Sequence, residues 1–72
     1  MPKLPVLKPK EVERALGRAG FLFVRQKGSH RIYVKGNLGV TLPFHNKDLK
    51  PKTLRQIIKQ SGFELEQFIE LL

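Results

Sequence analysis

Read for hydropathy alone, the chain changes period twice. Between Pro9 and Ala19, Val12, Ala15, Leu16 and Ala19 recur at i, i+3, i+4 and i+7, the apolar stripe of an amphipathic helix. Pro9 suits the first helical turn, Glu11 and Glu13 sit near the positive end of the dipole, and Gly20 is a good stop. Lys8 is a poor N-cap, which makes the start the weaker boundary. From Phe21 the period becomes two. Phe21–Arg25 predicts a first strand, Gln26–Ser29 a turn in which Gly28 is free to take positive φ, and His30–Lys35 a second strand. In that second strand His30, Ile32 and Val34 share one face, and Arg31, Tyr33 and Lys35 the other. Gly36–Gly39 predicts another turn and Val40–Leu42 a short third strand, limited by Pro43. After a polar loop from Phe44 to Lys50 the helical period returns. Pro51 opens a helix with Leu54, Ile57 and Ile58 on one face, stopped at Gly62. Leu65, Phe68, Ile69 and Leu72 then mark a last short helix from about Leu65 to Leu71.

The strand connections are too short for parallel crossovers, so the strands should form an antiparallel meander. The expected architecture is α+β, in the order α-β-β-β-α(-α), with helices on one face of a three-stranded sheet and a single domain over residues 1–72. Residues 1–7 read as a Pro-punctuated extended lead. The open face of the sheet is expected to be the basic one, carrying Arg31, Tyr33 and Lys35. Phe21, Phe23 and Phe68 are expected in the core, and Arg55 and Lys59 read equally well as phosphate contacts or as a solvated helix face.

Composition narrows the class. The 72 residues carry fourteen Lys and Arg against six Asp and Glu, a net charge of +8. All fourteen basic residues lie at or before Lys59, whereas residues 60–72 hold Glu64, Glu66 and Glu70 and no base. Such a basic body with an acidic end fits a polyanion partner, a nucleic acid first of all. The absence of cysteine excludes disulfides, thiol catalysis and cysteine-based zinc sites. No apolar run approaches membrane-spanning length, and Met1–Pro5 lacks the apolar core of a signal peptide, so a soluble cytoplasmic protein is the expectation.

The candidate chemistry centres on Lys27-Gly28-Ser29-His30-Arg31. Imidazole is the side chain whose ordinary pKa lies nearest neutrality, which suits it to moving protons. Cleaving RNA without a metal requires deprotonation of a 2′-hydroxyl, stabilisation of the phosphate's developing charge and protonation of the leaving oxygen. His30 could supply one proton step while Lys27 and Arg31 hold the phosphate, and a glycine turn lets backbone amides approach an anion. An isolated histidine at a strand start also reads as an ordinary surface residue. His45 could be a second acid/base group, could pair with Asp48, or could satisfy backbone groups of its loop. Two histidines and Asp48 fit no metal-ligand spacing, and Ser29 has no triad around it.

In this order and at these spacings, the chain resembles the HicA toxins, messenger-RNA-cleaving components of toxin–antitoxin pairs. Gly28-Ser29-His30-Arg31-Ile32-Tyr33 matches the family's Gly-Ser-His-x-x-aromatic motif. Val40-Thr41-Leu42-Pro43-Phe44-His45 is similar to its third strand and Pro-x-His exit, Asp48–Gly62 to its second helix, and Glu66–Leu72 to its ending. Lys52 departs from a common glycine and Glu64 from a common Ser/Thr cap, both expected to bear on helix starts rather than on the site. The resemblance implies a fold like the double-stranded-RNA-binding domain and a metal-independent endoribonuclease without cofactor. It implies His30 as the catalytic histidine and a HicB-type antitoxin covering the active face. The expected RNA contacts are Lys27, Gly28, Ser29, Arg31, Tyr33 and Lys35. The rival reading on the same fold is a non-catalytic RNA-binding module, and a third is a module that chiefly binds an acidic protein surface.

Overall fold

The computed structural model describes residues 3–72; of the proline-rich lead, Met1 and Pro2 lie outside them. Six elements follow in chain order: α1 (Pro9–Arg18), β1 (Leu22–Lys27), β2 (His30–Lys35), β3 (Leu38–Pro43), α2 (Pro51–Ser61) and α3 (Leu65–Glu70). The sheet is antiparallel in the order β1-β2-β3. The α+β architecture and its α-β-β-β-α-α order are therefore those expected from hydropathy.

Local chemistry explains the element ends. α1 starts although Lys8 offers no capping side chain, because the Glu11 carboxylate turns back to accept the Lys8 N–H at 3.0 Å. Gln67 does the same for the Glu64 N–H at 2.9 Å and starts α3. Gly62 closes α2 at φ 81°, a left-handed cap. Both hairpins turn tightly on two residues with glycine first, Gly28 at φ 59° and Gly36 at φ 57°. This is the type II′ pattern, whose twist matches that of the flanking strands. Tight turns also lengthen the strands beyond the expected bounds: Gln26 and Lys27 pair with Arg31 and His30, and Leu38 pairs with Lys35.

One expectation is reversed. The face carrying Arg31, Tyr33 and Lys35 is not the open one; it packs against the helices. Tyr33 is 3% exposed and joins Val40 and Leu42 in a core with Val12, Ala15 and Leu16 of α1 and Leu54, Ile57 and Ile58 of α2. The register gives the reason. Tyr33 faces Val40 and Arg31 faces Leu42, whereas Ile32 and Val34 face Thr41 and Gly39. Packing the first set against α1 and α2 buries Val40, Leu42 and Tyr33 together; packing the second would bury a threonine and an unfilled glycine position. The open face accordingly presents His30, Ile32 and Val34. Phe21 and Phe68 are buried as expected, but Phe23 is half exposed, edge-on to Tyr33 at 5.8 Å between ring centroids. A bulge at Val24, between Phe23 and Arg25, shifts the pairing of β1 by one residue.

Candidate active site and nucleic-acid interface

His30 begins β2 directly after the Gly28-Ser29 turn, exposed on the open face. Register fixes its neighbours. Lys27 of β1 lies across from it on one side and Pro43 of β3 on the other, while Arg25 stands across from Ile32 one step along the same face. The open-face cations are thus Arg25 and Lys27, not Arg31 and Lys35. Arg25 escaped the sequence reading because the bulge at Val24 decides where it points.

Beside His30 runs a shallow groove of about 350 Å³ between the sheet and α2. Thr41 and Pro43 form its sheet wall, and Lys52, Thr53, Gln56 and Ile57 its helix wall. Lys52, expected to matter only for the start of the helix, therefore lines the histidine's groove. Gln60, one turn further along α2, accepts the Thr41 N–H at 3.1 Å and ties the helix to the edge of β3.

Arg31 and Tyr33 hold this site from behind. On the helix side, Glu13 of α1 accepts hydrogen bonds from the Arg31 guanidinium at 2.7 Å and from the Tyr33 hydroxyl. The guanidinium also lies 3.7 Å from the centre of the Phe44 ring and donates through Nε to Gln26 at 3.0 Å. Gln26 in turn donates to the Gly28 carbonyl at 2.9 Å, and the Phe44 N–H to the Ser29 carbonyl at 2.6 Å. The turn that carries His30 is braced from α1 through four side chains. Lys35 donates to the Ala19 carbonyl at 2.6 Å and so ties β2 to the end of α1.

Glu13's hydrogen bond is the main cause that raises the Arg31 guanidinium above its already high ordinary value. For Tyr33, burial and then the bond to Glu13 push the phenol up from 10.0 to about 12. Because the folded value is raised, the protonated phenol stabilises the fold fully below pH 10.0, and that contribution is lost as pH rises through about 12. Tyr33 is the only tyrosine in the chain, so the ultraviolet signal of tyrosinate follows this one group. Its midpoint should lie well above 10, and Tyr33→Phe should flatten the alkaline limb of the stability curve. A midpoint at the value of an exposed tyrosine would contradict the buried contact.

His45 does not line the groove. Its Nδ1 accepts the Lys47 N–H at 3.2 Å, which makes it a loop-organising residue. Among the described residues, no group of three His, Cys, Asp or Glu side chains comes together in a way that could hold a metal ion. No helix among them is long and apolar enough to cross a membrane.

Fold and site together define a small basic α+β domain whose open sheet displays one histidine among cations. The sequence model describing the HicA toxin of bacterial toxin–antitoxin systems matches residues 9–63, from the start of α1 past the end of α2, and the chain belongs to that family. No curated protein matches it.

Proposed function

We propose that this protein is a cytoplasmic endoribonuclease toxin that cleaves messenger RNA without a metal ion, with His30 as its catalytic histidine. The observation that carries this reading is the placement of His30. Following the Gly28-Ser29 turn, the imidazole is exposed on the open sheet face, lines a groove and lies across from Lys27. In the reaction the 2′-oxygen of a ribose forms a bond to the adjacent phosphorus and the bond from phosphorus to the 5′-oxygen breaks. The 2′-hydroxyl gives up a proton and the 5′-oxygen gains one. His30 moves one of these protons. Lys27, Arg25 and the Gly28-Ser29 turn hold the backbone phosphates. Arg31, Tyr33 and Lys35, expected on the RNA, support the strand from its helix side instead.

A HicB-type antitoxin is the natural protein partner, since the exposed Arg25 and Lys27 would meet carboxylates on an inhibitor covering the same face. The experiment is digestion of matched single strands of RNA and DNA by the purified protein in EDTA. RNA should be cut and DNA of the same sequence left intact, because only RNA carries the nucleophile. Equal cutting of both, or loss of cleavage in EDTA, would contradict the reading. Salt-sensitive RNA binding without any product would favour the non-catalytic module.

A further inference from the structure

We propose that Lys52 is a second catalytic residue, the cation that holds the reacting phosphate against His30. This deepens the ribonuclease reading and rests on it. Transfer of a phosphoryl group between ribose oxygens gathers negative charge on the non-bridging oxygens, and a fixed cation beside them stabilises that charge. Two of the cations first suggested by the sequence, Arg31 and Lys35, do not provide it. Arg31 is bound to Glu13 and stacked on Phe44, on the other face of the sheet from His30. Lys35 shares that face and is tied to the Ala19 carbonyl.

Among the residues lining the groove beside His30, Lys52 is the one that carries a permanent positive charge. It is exposed in the first turn of α2, with Thr53 and Gln56 on the same wall as hydrogen-bonding groups. A phosphate in the groove therefore has imidazole on the sheet side and ammonium on the helix side. Lys27, across from His30 on β1, lies on the far side of the histidine from the groove, placed to hold a neighbouring phosphate. In this arrangement Lys52 contributes charge alone and transfers no proton.

Lys59 supplies the control. It sits on the same helix with the same charge but lines a different groove, with Leu4, Ile58 and Phe63. With a single-stranded RNA of mixed sequence as substrate, Lys52→Ala should lower kcat roughly tenfold to hundredfold while KM changes far less. Lys52→Arg should restore most of the rate, and Lys59→Ala should stay within about twofold of the parent protein. A Lys52→Ala enzyme as fast as Lys59→Ala would overturn the proposal, as would a Lys52→Arg enzyme as slow as Lys52→Ala. A binding arm separates this proposal from the ribonuclease reading. When the same RNA is titrated into the His30→Ala protein, amide NMR signals of Thr41, Thr53 and Gln56 should shift, and the shifts should disappear on adding Lys52→Ala. Shifts elsewhere only, or shifts indifferent to Lys52, would overturn the groove assignment whether or not RNA is cut.

Discussion

His30→Ala is expected to leave the protein folded and to slow RNA cleavage by about 10²- to 10⁴-fold, the usual span for losing one positioned acid or base. The side chain can be removed at little structural cost, because it is exposed and its face of the sheet is not the one packed on the helices. Backbone pairing of His30 with Lys27 and Pro43 does not depend on the imidazole. The thermal midpoint and the far-ultraviolet spectrum should therefore match the parent, and growth arrest on expression should disappear with the cleavage. RNA affinity should persist, since Arg25, Lys27 and Lys52 remain. A folded His30→Ala protein that degrades RNA at the parent rate would remove His30 from the mechanism.

Phe68→Ala carries the largest expected effect on stability. Phe68 is fully buried, yet it belongs to α3, a helix of six residues. So short a helix has no stability of its own in water and is held by packing, chiefly through this one ring. Truncating a fully buried phenylalanine costs about 3–5 kcal/mol. A chain of this length has a total stability of only about 4–11 kcal/mol. The midpoint of thermal unfolding should fall by at least about 12 °C, and much of the protein should be unfolded at physiological temperature. A loss below about 1 kcal/mol would mean that α3 is not part of the cooperative core.

The element order was legible because the apolar spacing is unambiguous in all three helices and because three short runs separated by glycine leave little choice of topology. The facing of the sheet was legible too, but only by counting register. The two-residue turn at Gly36-Asn37 places Tyr33 opposite Val40 and Arg31 opposite Leu42, which marks the buried face. Judged strand by strand, β2 alternates ambiguously, for a tyrosine with two long cationic stems can cover as much apolar surface as an isoleucine and a valine. That ambiguity sent Arg31, Tyr33 and Lys35 to the wrong side. Gly28-Ser29-His30 stood out from sequence because a motif is local. Arg25 and Lys52 did not, since one depends on a bulge in β1 and the other on where α2 lies against β3. Neither is written in residue spacing. The brace from Glu13 to the turn was equally hidden, because it joins residues as far apart as Glu13 and Tyr33.

The most direct test of the account is the chemistry of the cut ends. Fragments released from a single-stranded RNA by the purified protein in EDTA should carry a 2′,3′-cyclic phosphate, or its opened monophosphate, on one side and a 5′-hydroxyl on the other. Those ends require the 2′-oxygen as nucleophile and a proton-moving group such as His30. Fragments ending in a 3′-hydroxyl and a 5′-phosphate would show that water attacked instead, and would contradict the mechanism built on His30.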